Sequence, residues 1–381
     1  HVNTLLWILL GLIALWMALR FLPAGADWHR PLVELIALID LLTAPLLAIL
    51  VCAIVIQAWP QSALALIELT LVTLWRLQYR FHLPSPMSSG HRDGLQSNNR
   101  HRTDTSNQSD TDADSPESQQ FNQDMHDSAR VHTKPHDLAP ATSHPALSLR
   151  VMTLNCRYGK ADAPSILEQV QSQNVDVLAL QEVNSTLLTH LRKAGMRRTL
   201  PYLVEGPQTK NDNGGRNALF SRQEPIWSQP AVLDLEASAV PLMLLRTQAG
   251  TIRVASVHPR SPQRGAKQWG LGIERLAQLS SENMEAVPDM ESPAFTIIMG
   301  DCNANLHHPT FRAMLESGRL RDTSLSLGCG PHPTFPHCRA LLPPLIEIDH
   351  ILVSQGIRVK SMKTTGVPDS DHYGLLTELC I

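Results

Sequence analysis

The stretch Ala294-Phe-Thr-Ile-Ile-Met-Gly-Asp-Cys-Asn303 sets the reading of this chain. Residues 294–299 form a short apolar run that suits a strand, and the run delivers Asp301 and Asn303 at its end. An acid at the end of an otherwise apolar strand is exposed at one rim of a sheet, where the ends of several strands can converge on a common point. Taken alone, Asp301 and Asn303 also fit an Asx turn that closes a strand. The choice between the two depends on what the neighbouring strands carry.

Working outward, strands are expected at 149–155, 175–180, 218–221, 242–247, 252–258, 346–353, 357–362 and 373–379, with a hairpin around Gln248-Ala249-Gly250. Helices are expected at 164–173, where Pro164 suits the first turn, and at 184–194, where leucines recur at helical spacing. So many strands with few intervening helices argue for an α/β domain of two packed sheets with helices outside, rather than an all-parallel wound sheet, over 147–381. Glu182 closes one of these strands, Asp349 and His350 sit in another, and Asp371 and His372 immediately precede the last. Carboxylates are the ligands that hard cations such as Mg²⁺ prefer, and a metal at that rim would neutralise phosphate oxygens and acidify an attacking water.

Before this domain the composition changes twice. Residues 4–22 are almost wholly apolar, with Arg20 near the end, and residues 35–59 are interrupted only by Asp40 and Gln57. Each run is long enough for the roughly 20 helical residues that a hydrocarbon core of about 30 Å requires. No basic n-region precedes the first run and a second run follows at once, which fits a signal peptide poorly. A shorter run, 63–75, contains Glu68 and ends in Arg76, Tyr79 and Arg80, an interfacial edge. Residues 1–81 therefore read as a membrane anchor of three spans, with a surface-lying amphipathic helix as the alternative for the third. Residues 82–146 are rich in Ser, Asp, Asn, Gln, Thr and His with hardly an aliphatic or aromatic side chain, a composition that cannot offset the entropy of ordering and reads as a disordered polar linker. Its histidines lack cysteine partners and i, i+4 pairing, so metal capture there is disfavoured.

Six short motifs, in order, carry a resemblance: Thr153-Leu-Asn155, Leu180-Gln-Glu-Val183, Ser256-Val-His258, Gly300-Asp-Cys-Asn-Ala304, Ile348-Asp-His350 and Ser370-Asp-His372. Together they resemble the endonuclease/exonuclease/phosphatase superfamily, which spans deoxyribonucleases, apurinic-site endonucleases, inositol polyphosphate 5-phosphatases and neutral sphingomyelinases. The resemblance covers 147–381 and implies a four-layered α/β sandwich, two packed mixed sheets flanked by helices, and a divalent-metal-dependent phosphoric ester hydrolase using Mg²⁺ or Mn²⁺. It implies that Glu182 is the principal metal ligand, with Asn155 and Asp371 in the same shell. Asp301 and Asn303 would orient the attacking water and a phosphate oxygen, His258 would donate to the phosphoryl group, and His372, fixed by Asp349, would act as base or phosphate-binding imidazole. A carboxylate on one imidazole nitrogen fixes the tautomer and favours the protonated form, which supports that last pairing independently. His350 alternates with Asp349 and is expected on the opposite face. Within Gly214-Gly-Arg-Asn-Ala-Leu-Phe-Ser-Arg222, Arg216 and Asn217 are candidate substrate contacts.

Cys156 and Cys302 read as small core residues, since neither motif supplies the paired base of a cysteine nucleophile. Cys329 and Cys338 are candidates for a loop disulfide in an oxidising compartment. In 147–381, Lys and Arg number 23 and Asp and Glu 22, which provides little of the basic surface that grips duplex phosphates. A nuclease is thus less favoured than a hydrolase of membrane-presented phosphate, and the spans-then-domain order is similar to the membrane-bound branch that includes a bacterial glycopeptide-resistance protein. His258-Pro-Arg-Ser-Pro262 and Thr334-Phe-Pro336 look like local features of that branch. This similarity implies a lipid-linked phosphate or pyrophosphate and an extracytoplasmic catalytic domain. The positive-inside rule, applied to Arg20, Arg30, Arg76, Arg80 and Arg92, points instead to the cytoplasm. The extracytoplasmic face is the reading taken.

Overall fold

The computed structural model describes residues 1–81 and 148–381, except 212, 282–283, 285–292 and 338–341. The expected polar linker and the Cys329–Cys338 pairing lie outside these described residues. The strands are β1 Ser148–Asn155, β2 Val177–Val183, β3 Tyr202–Glu205, β4 Arg216–Ser221, β5 Trp227–Gln229, β6 Leu242–Thr247, β7 Gly250–Val257, β8 Phe295–Asp301, β9 Leu320–Asp322, β10 Asp349–Ser354, β11 Arg358–Thr365 and β12 Gly374–Cys380. They form two mixed sheets, ordered β11-β12-β1-β2-β4-β3 and β5-β6-β7-β8-β10-β9. In each, one parallel pair lies at the centre, β1 with β2 and β7 with β8, and the other pairs are antiparallel.

The sheets pack face to face through Val151, Val177, Ala179, Leu219, Met243, Val254, Ile297, Met299, Ile351 and Leu375, all buried. Helices are α1 Val2–Ala18, α2 Leu32–Ala37, α3 Thr43–Val55, α4 Trp59–Phe81, α5 Ala163–Ser172, α6 Ser185–Ala194, α7 Met196–Thr199, α8 Pro262–Leu276, α9 Pro309–Ser317 and α10 Thr323–Leu327. Alternate residues of β1, Met152 and Leu154, face away from the other sheet and are covered by Ile166, Val170, Leu187 and Leu191 of α5 and α6. Trp269, Ile273, Phe311 and Met314 of α8 and α9 cover the second sheet in the same way. Central strands are buried on both faces, so they read as apolar runs rather than as alternating patterns. The two packed sheets expected from the strand count, and the four-layered sandwich that the resemblance implies, are the architecture observed. The helix starts follow local chemistry: Asp162 accepts from Ser165 N at 2.9 Å ahead of Pro164, and Asn184 accepts from Leu187 N at 2.9 Å. α8 and α9, each opened by a proline, were not among the expected helices.

The three N-terminal apolar runs form helices of unequal length. Among the described residues one helix, Val2–Phe21, is long and apolar enough to cross a membrane, and Ile39–Val55 is a shorter apolar helix. The apolar run at 35–59 is divided between the end of α2, a 3₁₀ segment at Ile39–Leu42 and α3. α4 is long enough, but Gln61, Glu68 and Arg76 lower its hydropathy. α1, α3 and α4 pack on one another through Leu6, Leu10, Ile13, Leu46, Ala53, Ala65 and Val72. Their outer faces carry Leu5, Ile8, Leu12, Leu15, Leu47, Val51, Ile54, Leu66, Ile67 and Leu71, all exposed.

Candidate active site

One rim of the sandwich gathers the side chains delivered by the strand ends. β1 ends on Asn155, whose Nδ2 donates to Glu182 Oε1 at 3.1 Å and to Asp301 Oδ2 at 3.0 Å, so one amide ties the two sheets together at the site. Its Oδ1 accepts from Arg157 N at 2.9 Å, which fixes the amide's orientation. Beneath it, Thr153 donates to Gln181 Oε1 at 3.2 Å, and Gln181 Nε2 donates to Ser256 Oγ at 3.1 Å, a buried polar link between the sheets.

Glu182 has a left-handed backbone, φ +54°, at a register shift between β2 and β4. This turns its carboxylate towards Asn155 and towards Tyr158 N, which donates to Oε2 at 2.7 Å. Burial raises its pKa, against the opposing effects of the Tyr158 N–H, the Asn155 amide and His372, while Asp371 adds to the rise. Gly214 and Gly215 close over it: a Cβ on Gly214 would lie 2.6 Å from the Glu182 carboxylate, and one on Gly215 2.6 Å from the Glu182 backbone.

Asp301 and Asp349 are direct partners in the β8–β10 ladder. Asp349 Oδ2 lies 2.8 Å from His372 Nδ1, and His372 Nε2 lies 3.8 Å from Asp301 Oδ2. Burial alone would lower the His372 pKa, but the Asp349 and Asp301 carboxylates overcome it and push it up to about 10. Burial and Asp349 raise the Asp301 pKa, opposed by His372 and His258. Asn303 donates its backbone N–H to Asp301 Oδ1 at 2.8 Å and its amide to Pro259 O at 3.3 Å. His258 Nε2 lies 3.5 Å from Asp301 Oδ2 and 3.9 Å from Glu182 Oε1, and burial holds its pKa low. Asp371 sits on the outer edge, 3.8 Å from the Arg157 guanidinium.

The structure thus brings Asn155, Glu182, His258, Asp301, Asn303, Asp349 and His372 together, with Asp371 at the rim. Arg216 is instead paired with Glu205 at 2.5 Å and Ser185 at 2.9 Å, and Asn217 is buried on Ser238 and Ala239 O. None of these contacts is with the acidic cluster. His350 lies on the opposite face, as alternation required, with Nδ1 on Asp322 at 2.5 Å and Nε2 on Ala304 O at 2.8 Å. Cys156 and Cys302 are buried, and burial pushes both thiols well up, which fits inert core residues.

Asn213 was not singled out from the sequence, and Thr334, Phe335 and Ser370 lay in quoted motifs without a role assigned to them. Asn213 donates to His258 Nε2 at 2.8 Å and to Pro259 O at 3.1 Å, while its Oδ1 accepts from Ser261 N, so it orients the imidazole. Thr334 Oγ1 accepts from the backbone N–H groups of Ile348 and Asp349, both at 3.3 Å, and the Phe335 ring packs 5.0 Å from the His372 ring. Ser370 donates to Asn155 O at 2.7 Å and accepts from His372 N at 3.0 Å, joining two motifs. The Gly-Gly pair beside Asn213 was the available signal for the first.

The donor set suits a hard cation. Among the described residues, the carboxylates of Glu182, Asp301, Asp349 and Asp371 gather around His372, with Arg157 at the edge, and a divalent ion would offset this concentration of negative charge. Asp301, Asp349 and His372 also place their ligand atoms within 4.8 Å of one another. A protonated His372 has no lone pair to offer, so the carboxylate oxygens of Glu182 and Asp371 are the better match for Mg²⁺ or Mn²⁺, with the Asn155 amide turning its Nδ2 to Glu182 and its Oδ1 to Arg157 N.

Residues 152–372 match the Endonuclease/Exonuclease/phosphatase family, and the chain belongs to that family. Its members are divalent-metal-dependent hydrolases of phosphate esters, and this chain is a phosphoric ester hydrolase. Similar solved structures include a family protein from Bacteroides thetaiotaomicron, at 18% identity and TM-score 0.46, covering 62% of this chain and 98% of that one. A mannosyl-6-phosphatase from the same organism matches at 18% identity and TM-score 0.45, covering 61% of this chain and all of that one (100%). Sphingomyelinase C from Streptomyces griseocarneus matches at 16% identity and TM-score 0.42, covering 61% and 99%. No curated protein matches the chain in sequence.

Proposed function

We propose that this protein is a membrane-anchored phosphohydrolase that acts on a phosphate ester or pyrophosphate presented at a membrane, with a lipid-linked substrate as the preferred class. The observation that carries the reading is the pairing of the acidic rim with a helical bundle whose outward side chains are apolar on α1, α3 and α4. A soluble domain rarely exposes a contiguous apolar surface of this kind, and lipid is its natural cover. The multi-pass topology and an extracytoplasmic catalytic domain belong to the same proposal.

Glu182, Asp371 and Asn155 would hold Mg²⁺ or Mn²⁺, which when bound supplies neutralisation of phosphate oxygens and acidification of water. The chain's own residues divide the proton work. The Asp349 and Asp301 carboxylates favour the protonated form of His372, which donates to a phosphate oxygen. Asp301, buried and with its pKa raised, accepts the proton of the attacking water, and Asn303 orients the group it attacks. Asn213 holds the His258 ring beside Asp301.

Full-length protein in detergent with Mg²⁺, offered polyprenyl pyrophosphate, a short phospholipid and plasmid DNA in parallel, tests the substrate class. Release of inorganic phosphate from the polyprenyl substrate without nicking supports the proposal. Rapid nicking with no lipid turnover would replace it with a membrane-tethered endonuclease or general phosphodiesterase. Sidedness is tested by fusions at Ser143: the expected result is active alkaline phosphatase and a dark fluorescent protein, and the reverse pattern would place the site in the cytoplasm.

A further inference from the structure

The loop that leaves the site after Asn303, residues 304–312, is gripped by the N-terminal segment. Arg20 Nη1 donates to Leu306 O at 3.0 Å and to His307 Nδ1 at 2.6 Å, and His307 Nε2 lies 3.0 Å from Asp40. Asn305 Nδ2 donates to Ala37 O at 2.9 Å, and His308 Nε2 bonds Val33 O at 3.0 Å. Asp27, fully buried, accepts from Thr310 N at 3.1 Å and from the Thr310 hydroxyl. Arg312 closes the loop from its own side, donating to Leu306 O, His307 O and Arg20 O at 2.9, 2.7 and 2.7 Å. The Trp28 indole donates to Thr310 Oγ1 at 3.0 Å and lies over Gly270 so closely that a Cβ there would come within 2.1 Å of the ring.

Such contacts differ from a greasy seam. Arg20, Asp27, Asn305, His307 and His308 are buried polar groups satisfied across the join, and separating them would strand donors and acceptors on both sides. An apolar contact can slide; a set of directional bonds fixes one register. The gripped loop begins at the residue after Asn303, whose backbone N–H is itself bonded to Asp301.

We propose that Arg20, Asp27 and Asp40 are positioning residues for catalysis: by fixing residues 304–312 from the anchor side, they hold Asp301 and Asn303 in their working geometry, so turnover requires the anchor to be docked. This rests on the phosphohydrolase reading above and adds to it that the anchor sets the active site's orientation to the helices as well as its location.

The test uses the full chain in detergent micelles with bis(p-nitrophenyl) phosphate and Mg²⁺, a soluble reporter that needs no membrane. Asp27→Asn weakens the grip from the anchor side, and Gly270→Ala evicts Trp28 from the domain side. Leu46→Ala, in the bundle core, is the control. The grip variants are expected to lose at least tenfold in kcat with KM within twofold, and to show amide exchange at least tenfold faster across 300–306 under conditions where circular dichroism reports a folded chain. The control is expected to lower Tm while leaving kcat and that exchange unchanged. Wild-type kcat in a variant whose 304–312 segment exchanges faster would overturn the proposal. A wild-type chain that never hydrolyses the reporter would remove the phosphohydrolase reading, while the exchange at 300–306 would still decide the coupling. If both variants fail to fold, exchange in the wild-type chain replaces them: slower exchange across 24–37 on adding Mg²⁺ supports the coupling, and slowing confined to the rim refutes it.

Discussion

Gly214→Ala is a single methyl added 2.6 Å from the Glu182 carboxylate, where ordinary van der Waals contact begins at 3.4 Å. The shortfall is 3.4 − 2.6 = 0.8 Å, and Glu182 cannot retreat freely because Tyr158 N and Asn155 Nδ2 hold its two oxygens and Gly215 packs on its backbone. Gly214 also has φ +113°, outside the regions that a side chain tolerates well, at a cost of roughly 1–3 kcal/mol. A misplacement of about 1 Å in a reacting constellation costs on the order of 10² in rate, and loss of support around a metal ligand costs about 10–100-fold in metal affinity. The variant should therefore lose ~10–100-fold in kcat on a soluble phosphodiester reporter and need about tenfold more Mg²⁺ for half-saturation. Its Tm should fall by about 2–4 °C for each kcal/mol of strain. A Mg²⁺ titration of initial rates, with a thermal melt of the same preparation, provides both readouts. An alanine variant with wild-type turnover and Mg²⁺ dependence would refute the assignment of Glu182 as the metal ligand cradled by Gly214.

Further outcomes follow from the His372 dyad. His372 rises from 6.5 to about 10 on folding, so its contribution to stability is complete below pH 6.5 and is lost as pH rises towards 10. Thermal melts in chelator should show that decline, and Asp349→Asn should flatten it; an unchanged slope would detach His372 from Asp349. Thr334→Val leaves the buried Ile348 and Asp349 N–H groups without their acceptor, at about 1–3 kcal/mol each, so urea unfolding should show a loss of that order together with a fall in kcat. Undiminished stability would mean that those N–H groups find another partner.

The site was legible in the sequence wherever one short motif delivers a group to a strand end. Asn155, Glu182, Asp301 and His372 each close or flank an apolar run, and runs of that kind survive burial on both faces. What was not legible depends on distant parts of the chain meeting. Asn213 is an unremarkable amide in a Gly-rich loop until His258, 45 residues on, is set against it. Arg216 and Asn217 carry suitable chemistry, but their partners are Glu205, Ser185, Ser238 and Ala239, which no local pattern announces. The apolar run at 35–59 looked continuous because hydropathy is blind to the 3₁₀ segment at Ile39–Leu42, which places Asp40 against His307. Likewise Arg20 looked like a charge at the end of an apolar run and Asp27 drew no reading, and their contacts with residues 304–312 appear only when sequence separations above 280 are closed.

The central claim, that this chain hydrolyses phosphate esters through a metal held at Glu182, is tested most directly by initial rates of the full-length protein on bis(p-nitrophenyl) phosphate. Wild type and Glu182→Gln would be measured with Mg²⁺, with Mn²⁺ and with chelator. Wild type is expected to turn over with either metal and not above background in chelator, and Glu182→Gln to lose at least a hundredfold at saturating metal. Equal wild-type rates in chelator and Mg²⁺, or full activity in Glu182→Gln, would contradict the claim.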